Sequence, residues 1–288
     1  MDVSVIIVNY NTCDMTAACI ESIYKNTVGV SFEVILVDNA SVDNSRKKFS
    51  EDSRIIYIYE TINHGFGIAN NIGVQRATGK YLFFLNSDTL LLNNAIYEFW
   101  RFCESLNEDV VAGSYLLDQK LVRTHSYSIF LTPKTELRNM LCPFRKYSCE
   151  DLNSSPAVKE VDYITGADLF IKKSIFLDHC GFFKGFFMYF EETDIQCRIS
   201  KSGIKRLVIL GPKIMHLEGG SFNRNNRRFV LTPKKIMIQE SKLLYFKRNF
   251  FGGWYILYRL ILPIYVLPFF ITNSPINLKK KLLKIVMS

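Results

Sequence analysis

A short polar motif follows a strongly apolar segment in the first third of the chain. Residues 81–85 are five consecutive apolar or aromatic residues, and Asn86-Ser87-Asp88 comes directly after them. Such a run is typical of a strand that is covered on both faces of a parallel sheet. Because ligands bind at the carboxyl ends of strands in open α/β sheets, we predict that Asp88 holds a divalent cation, Mg²⁺ or Mn²⁺, against phosphate oxygens. The alternative is a turn residue that caps the helix near Asn93.

A second group of carboxylates begins a predicted helix over residues 192–202. Glu191, Glu192 and Asp194 lie within four positions, and apolar residues 186–188 precede them. The helix dipole favours acids at a helix start, and an apolar surrounding raises the pKa of a carboxyl group toward that of a general base. Glu191 and Glu192 are therefore candidate bases, whereas Asp194 is predicted to pair with Arg198, one turn further on. A purely structural acidic helix start is the alternative.

His216 follows a predicted strand and precedes a glycine-containing loop. Single histidines are usually structural, but a neutral imidazole at a strand end beside a carboxylate is a good ligand for a divalent metal. We therefore predict that His216 shares the metal site with Asp88.

Two further segments are suited to nucleotide binding. Asp38 ends the second predicted strand, where its carboxylate can accept hydrogen bonds from a ribose or a base edge, or can cap the next helix. Residues 63–71 read NHGFGIANN. Asn70 stands where the dinucleotide fingerprint requires its third glycine, so that motif is excluded. A glycine loop that leads into a helix N-terminus still favours a phosphate, with a plain turn as the alternative.

An α/β sheet is needed to bring these residues together. Alternation between the two sequence periods predicts right-handed crossovers and a mostly parallel sheet. The predicted strands are 3–8, 33–37, 54–58, 80–85 and 110–112, with helices over 15–25, 68–76 and 93–103. Later in the chain we predict an exposed strand over 121–130, a helix and loop over 133–152, and strands over 161–165, 169–171 and 206–209.

Composition limits the class of protein. With 48% hydrophobic residues the chain is not globally disordered, and its net charge of +9 favours an anionic partner. Nucleic-acid binding is disfavoured, because much of the positive charge lies near the carboxyl terminus rather than among aromatic residues on one face. The seven scattered cysteines form no C-x-x-C pair and indicate a reducing compartment, and we see no signal peptide.

The last part of the chain differs from the rest. An amphipathic segment, 234–249, precedes a strongly apolar one, 254–271, which contains Arg259, Pro263 and Pro268. A spanning helix needs about 20 mostly apolar residues, so the arginine and prolines favour an interfacial or re-entrant element. Lysines at 279–281 and 284 would be attracted to anionic lipid. We predict a domain over 1–230 and a helical, membrane-associating tail over 231–288; a helix buried on the core or on a partner is the alternative.

In their order these motifs resemble the inverting family 2 glycosyltransferases of the GT-A fold, including bacterial rhamnosyltransferases, over residues 3–221. The segment VIIVNYN at 5–11 is similar to the family's first strand and nucleotide-contacting turn, VDNAS at 37–41 to its second-strand signature, and residues 63–73 to its N-x-G-F-x-x-x-N-x-G element. The resemblance implies a GT-A-like, Rossmann-like fold and a set of donor-binding residues: Val8, Asn9, Tyr10, Asp38, Ala40, Asn63, Gly67, Asn70, Asn86, Ser87 and Asp88.

The resemblance also assigns roles to the remaining candidates. Asn86-Ser87-Asp88 occupies the position of the D-x-D metal motif, His216 that of a metal-binding histidine, and Gly166-Ala167-Asp168 that of an acceptor-side loop. Glu192 occupies the position of the catalytic base, which is usually aspartate, so Glu191 stays open as the base. Asn86 replaces a carboxylate.

The implied activity is metal-assisted transfer of a hexose or deoxyhexose from a nucleotide-diphosphate sugar to a hydroxyl of a surface polysaccharide or lipid-linked glycan. The implied location is cytoplasmic, peripheral on the inner face of the cell membrane. The alternative is a non-catalytic, nucleotide-sugar-binding component of a glycan assembly complex. A nucleotidyltransferase is disfavoured because its glycine-rich amino-terminal loop is missing.

Overall fold

The amino-terminal part of the chain alternates strands and helices at the predicted positions. The computed structural model describes residues 1–141, 156–217, 230–272 and 274–287. Its first elements are β1 (Val3–Asn9), α1 (Cys13–Asn26), β2 (Phe32–Asn39), α2 (Ser45–Phe49), β3 (Ile55–Glu60), α3 (Phe66–Val74) and β4 (Tyr81–Asn86). The observed bounds of the predicted elements in this part lie within two residues of the predicted bounds.

The following elements agree less closely with the predictions. They are β5 (Thr89–Leu91), α4 (Ala95–Ser105), β6 (Val110–Ser114), β7 (Tyr127–Ser128), α5 (Pro133–Leu141), β8 (Val158–Glu160), β9 (Tyr163–Ile164), β10 (Asp168–Lys172), α6 (Lys173–Asp178), α7 (Glu191–Ser200), β11 (Lys205–Ile209) and β12 (Ile214–His216). The sequence pattern did not predict β5, β8, α6 and β12. The part of the predicted segment 133–152 beyond 141, and the glycines after His216, lie outside the described residues.

The prediction of a strand over 121–130 is wrong for most of its length. Only β7 forms a strand there, and Arg123 makes an isolated bridge with Leu117. At the start of the segment the carboxylate of Asp118 accepts hydrogen bonds from the backbone N–H groups of Lys120 and Val122, at 2.8 and 2.9 Å. Leu121 between them has a φ of 60°. The chain therefore turns at these residues, and the alternating apolar side chains do not enter a ladder.

The central sheet has eight strands in the order β3-β2-β1-β4-β10-β6-β11-β8. Six of its strands run in the same direction: β3, β2, β1, β4, β6 and β11. The other two, β10 and β8, run in the opposite direction. The sheet is therefore mostly parallel, as predicted. The carboxyl ends of the parallel strands and the amino-terminal end of β10 meet at one edge, where every predicted site residue on a strand of this sheet lies.

Apolar residues cover both faces of the sheet. Val5 and Ile7 of β1 belong to a buried cluster with α1 and α4, while Ile6 belongs to a second cluster that includes α3, α6 and α7. Successive side chains of a strand point to opposite faces, so both sets must be apolar. This double coverage explains the unbroken apolar runs of β1 and β4 and removes the sheet interior as a place for chemistry.

The tail forms three helices, α8 (Pro233–Asn249), α9 (Gly253–Ile271) and α10 (Ile276–Met287). They share a third buried cluster with Leu137 of α5 and with Phe186 and Cys197 near and in α7. Within the described residues, α9 is the helix that is long and apolar enough to cross a membrane, and 17% of its most apolar stretch is buried in the protein. It continues through Pro263 and Pro268, so the chain does not break into the re-entrant element considered above.

Candidate functional site

A short antiparallel ribbon brings Asp88 and His216 together. The polar motif at the end of β4 turns directly into β5, and the Thr89 hydroxyl donates to the carbonyl oxygen of Asn86 at 2.7 Å. Strand β12 pairs with β5 so that His216 lies opposite Thr89. As a result, Nε2 of His216 is 3.2 Å from Oδ1 of Asp88 and 3.5 Å from Nδ2 of Asn86. The two predicted metal ligands, 128 positions apart along the chain, are therefore neighbours in the fold.

The chemistry of this donor set fits a hard divalent cation that also binds phosphate. It offers one carboxylate, one imidazole and the side-chain amide of Asn86, all partly accessible. Mg²⁺ keeps several waters and is commonly held by one or two carboxylates together with substrate phosphates, so a small protein donor set is sufficient. In residues 1–141, 156–217, 230–272 and 274–287, no group of three or more His, Cys, Asp or Glu side chains is placed to hold a metal without such a substrate.

The ends of β1 and β2 are tied together by side-chain hydrogen bonds. The buried Oδ1 of Asn9 accepts from the hydroxyls of Thr12 and Thr16, at 2.8 and 2.9 Å, and its Nδ2 donates to the Ser41 hydroxyl at 3.0 Å. Asn9 therefore shapes the loop after β1, and the neighbouring Tyr10 is exposed at its surface. Val8 lies one residue earlier, paired in register with Asn86 of β4.

Asp38 is fully buried at the end of β2. Its Oδ2 accepts from the Tyr57 hydroxyl at 2.6 Å, and its Oδ1 accepts from the backbone N–H of Ser41 at 2.9 Å. Burial and this carboxylate raise the pKa of the Tyr57 hydroxyl well above its usual value. Asp38 thus holds the turn at Ala40 and connects it to β3. The turn lies at the edge of the sheet where the site residues meet; this edge, together with the start of α7, is called the cleft below.

Thr12 is a residue that the sequence pattern did not single out. Its hydroxyl oxygen is 3.1 Å from that of Ser87, so the loop after β1 touches the centre of the polar motif. This contact joins the loop after β1 to the polar motif that ends at Asp88. A threonine after a strand carries no distinctive pattern, so only the folded chain identifies it.

The start of α3 makes close contact with the segment before α7. Gly65 has a φ of +82°, and a Cβ placed there would lie 2.0 Å from the carbonyl oxygen of Phe187. That same oxygen accepts a hydrogen bond from the backbone N–H of Phe66 at 3.0 Å. A Cβ at Gly67 would lie 3.3 Å from Cβ of Glu191. Gly65 and Gly67 therefore allow another part of the protein chain to approach closely, which brings the start of α7 next to the start of α3.

Asparagine side chains hold this loop in place. Asn63 accepts from the backbone N–H of Gly65 at 2.9 Å and from Nδ2 of Asn39 at 3.0 Å. Oδ1 of Asn39 in turn accepts from the backbone N–H of His64 at 2.9 Å. Asn70 is buried and donates to the carbonyl oxygen of Phe66 at 3.0 Å. The sequence pattern missed the role of Asn39, although its position next to Asp38 at a strand end was a usable signal.

Glu191 and Glu192 begin α7 next to the cleft. Burial and repulsion from Glu192 raise the pKa of Glu191 to about 8, and its Oε2 has no hydrogen-bond partner among the described residues. Burial also raises the pKa of Glu192. Cγ of Glu192 would lie 3.6 Å from a Cβ placed at Gly166. A carboxyl group with a raised pKa beside a glycine that leaves space is suited to accept a proton from a bound hydroxyl group.

Backbone strain is concentrated around the same cleft. In the described chain, six non-glycine residues have positive φ, and four of them lie in the loops after β1 and β2 and immediately before α7: Asn11, Ala40, Tyr189 and Phe190. Such conformations cost about 1–3 kcal/mol each and accumulate at functional sites. The two before α7 are held by tertiary packing, since the ring of Phe190 lies 5.3 Å from that of Tyr245 in the tail.

The 166–168 segment connects the polar motif with the acidic helix. The carbonyl oxygen of Ala167 accepts from the backbone N–H of Asn86 at 3.0 Å, and Gly166 lies beside Glu192. Asp168 is fully buried below them, where its Oδ2 accepts from the backbone N–H and hydroxyl of Ser114 at 2.7 and 2.5 Å. Burial raises the pKa of Asp168 to about 7. Asp168 therefore supports the loop from beneath rather than lining its surface.

A mostly parallel sheet with strand-end turns, a polar motif and an acidic helix at one edge is the architecture of the GT-A-like fold. Residues 4–189 match the family described as glycosyl transferase family 2. The match covers more than half of the chain, which therefore belongs to this family.

Curated relatives share parts of the chain. Glycosyltransferase GlyG of Streptococcus pneumoniae is 32% identical over 117 residues, which is 39% of this chain and 38% of GlyG. Low-salt glycan biosynthesis hexosyltransferase Agl10 of Haloferax volcanii is 27% identical over 208 residues, covering 70% of this chain and 63% of Agl10. The Escherichia coli glucosyltransferase WfgD, whose name specifies UDP-Glc and α-D-GlcNAc-diphosphoundecaprenol, is 27% identical over 197 residues, 62% of this chain and 74% of WfgD.

Solved structures share the fold. Staphylococcus aureus TarS superimposes with a TM-score of 0.57 at 14% identity, over 96% of this chain and 45% of TarS. Mannosyltransferase PcManGT of Pyrobaculum calidifontis, in complex with GDP-Man and Mn²⁺, has a TM-score of 0.58 at 13% identity, over 92% of this chain and 72% of PcManGT. The chain thus spans less than half of both GlyG and TarS.

Proposed function

We propose that this chain transfers a hexosyl or deoxyhexosyl group, such as rhamnosyl, from a nucleotide-diphosphate sugar to a hydroxyl group of an acceptor. The acceptor is a surface polysaccharide or a lipid-linked glycan, and the configuration at the anomeric carbon is inverted. The observation that carries the proposal is the close pairing of Asp88 and His216 at the edge of the cleft that also holds two glutamates with raised pKa values. The names of relatives support the substrate class: WfgD acts on a diphosphoundecaprenol-linked sugar, and Agl10 is a hexosyltransferase.

The proposed reaction is a single displacement. The acceptor oxygen bonds to the anomeric carbon, the bond from that carbon to the diphosphate breaks, and the acceptor proton passes to the carboxylate of Glu192. Burial raises the pKa of both Glu191 and Glu192, and the side chain of Glu192 lies beside Gly166, so we assign acceptance of the proton to Glu192. Asp88, His216 and Asn86 would hold Mg²⁺ or Mn²⁺, which when bound neutralises charge on the leaving diphosphate. PcManGT, crystallised with GDP-Man and Mn²⁺, supports this cofactor.

The proposal assigns the other candidates to the two substrates. The donor side is formed by residues 8–10, 38, 40, 63, 67, 70 and 86–88. The acceptor side is formed by Gly166 and Ala167. We assign residues 1–230 to the catalytic domain and 231–288 to a membrane-associating tail, so that the enzyme works in the bacterial cytoplasm, peripheral on the inner face of the cell membrane.

The test is donor hydrolysis and transfer with UDP-, GDP- and dTDP-sugars in Mg²⁺, Mn²⁺ or EDTA. Glu192→Gln is expected to bind donor in a thermal-shift assay but to lose transfer by about 10²–10⁴-fold, the range for a general base. Asp88→Ala is expected to lose the metal-dependent part of the thermal shift. The matched control is Asp109→Ala, a surface carboxylate. Full activity of both site variants refutes the assignment. Donor binding without turnover in the unmodified protein favours the non-catalytic component instead.

A further inference from the structure

One face of α9 is apolar, and the described residues leave most of it exposed. Six of its exposed apolar residues recur every three or four positions, as one side of a helix requires: Trp254, Leu257, Leu260, Ile264, Leu267 and Ile271. Ile256 and Tyr265 are also exposed and extend this face at its two margins. Leu260 and Ile264, at the centre, are 69% and 68% exposed. Tyr258, Leu262 and Val266 lie on the opposite side and are buried in the tail cluster. The helix is thus attached by one side, and the apolar side faces outward.

The only charged side chain of α9 does not interrupt this face. Arg259 turns inward and donates from Nη1 to the carbonyl oxygen of Ile285 at 3.2 Å and from Nη2 to that of Val286 at 3.0 Å, at the end of α10. It therefore serves as a cap for the last turn of α10. Together with the packing of Tyr258 and Leu262, these bonds hold α9 against the protein along its length.

The charge of the tail is suited to an anionic surface. The tail, residues 231–288, contains ten lysines and arginines and one acidic residue, Glu240, while the whole chain has a net charge of +9. Glu240 pairs with Lys281 at 3.4 Å. On α10, the exposed Lys280 and Lys284 lie next to the exposed Leu283 and Met287. Exposed apolar residues together with unbalanced lysines are the composition of helices that lie in a membrane interface.

We propose that the exposed faces of α9 and α10 form a docking surface for an anionic lipid bilayer, with α9 lying in the plane of the interface. Its apolar side enters the headgroup–acyl boundary, and Lys280 and Lys284 contact lipid phosphates. A spanning orientation would remove the bonds of Arg259 and expose the buried side of the helix, and a second copy of so basic a tail would meet repulsion. The inference deepens the peripheral location proposed above and rests on it, but not on sugar transfer.

The docking surface is connected to the catalytic helix. Asp194 of α7 accepts from Nε of Arg248 at 3.1 Å and from Nδ2 of Asn249 at 2.7 Å, at the end of α8. The Ser241 hydroxyl of α8 donates to the carbonyl oxygen of Met188, just before α7, at 2.8 Å. The glutamates at the start of α7 are therefore held at a fixed position relative to the lipid surface, which suits an acceptor whose anchor stays in the membrane.

The experiment is co-sedimentation of the full chain with vesicles of phosphatidylcholine alone or with about 30 mol% phosphatidylglycerol, because binding of interfacial helices depends on anionic lipid. We expect binding to the anionic vesicles that weakens with salt. L260E/I264E is expected to reduce the partition coefficient by at least about 100-fold, since two apolar side chains lose their burial. The matched control V28E/L177E, two exposed apolar residues away from the tail, should bind normally.

A charge variant keeps the test independent of folding. Lys280→Gln with Lys284→Gln alters two exposed side chains and should weaken binding by about 30-fold, the effect of two lysines near an anionic surface. The proposal is overturned if the unmodified chain does not bind anionic vesicles, or if it resists extraction by alkaline carbonate as a spanning protein does. It is also overturned if L260E/I264E dissociates a dimer of the chain and leaves vesicle binding unchanged. Donor hydrolysis, measured in the same preparations without lipid, reports separately on the proposed function.

Discussion

Replacement of Asp194 by alanine is expected to weaken the attachment of the tail to α7. Asp194 is fully buried, and its two carboxylate oxygens serve different elements. Oδ2 accepts from Nε of Arg198 in the same helix at 3.0 Å, while Oδ1 accepts from Arg248 and Asn249 at the end of α8. Alanine leaves these donors without their acceptor.

The structure indicates the size of the loss. Removal of one partner from a buried ion pair typically costs about 3–5 kcal/mol. The side chains of Arg198 and Arg248 are 21% and 28% exposed, so water can partly solvate them once the carboxylate is gone. We therefore expect the free energy of unfolding to fall by about 3 kcal/mol, at the lower end of the range. Asp194→Asn keeps one acceptor oxygen and should lose less.

Urea unfolding followed by far-UV circular dichroism measures this loss. The matched control is Asp109→Ala, because Asp109 pairs with Lys172 at 3.1 Å while the two side chains are 51% and 35% exposed. A pair this exposed contributes about 0–1 kcal/mol. The reasoning is refuted if Asp194→Ala lowers the free energy of unfolding no more than Asp109→Ala does.

Three further predictions concern the cleft. Burial raises the pKa of Asp168 to about 7 from 3.8, so the folded state binds the proton more tightly than the unfolded state does. As the pH rises from about 4 to 7, the free energy of unfolding should therefore fall by up to about 4 kcal/mol relative to that of Asp168→Asn. Melting temperatures of the two proteins that change in parallel over pH 4–8 would contradict this. Gly65→Ala should lower the free energy of chemical unfolding by at least about 2 kcal/mol, since it adds a clash with the carbonyl oxygen of Phe187 to the strain of a positive φ. Gly203→Ala is the control: its φ is +78° with no atom within 4 Å, so it should lose only the free energy of the strain. Glu192→Gln should lower the pKa of Glu191 from about 8, because repulsion from Glu192 is one of the two effects that raise this pKa. Carboxyl ¹³C titration measures the pKa of Glu191, and an unchanged value would show that burial alone raises it.

Local patterns in the sequence were sufficient for much of the fold. The apolar runs that became β1 and β4 could only be strands covered on both faces, and the polar motif after β4 therefore had to lie at the ligand-binding edge. The pairing of Asp194 with Arg198 was predicted from their spacing and is confirmed at 3.0 Å, because residues four apart in a helix are neighbours whatever surrounds them. These features depend on a few adjacent residues, so they can be deduced without the rest of the chain.

The sequence by itself thus determined the alternation of strands and helices, the polar motif at a strand end and the basic, apolar tail. Tertiary structure decided how they meet: it paired β5 with β12 so that His216 reaches Asp88, and placed the antiparallel β10 between β4 and β6 so that residues 166–168 connect the polar motif to the acidic helix. It also showed which side of α9 is buried. Strand pairing and helix orientation arise from contacts between distant segments, whose free energy depends on the whole packed core and not on any local pattern.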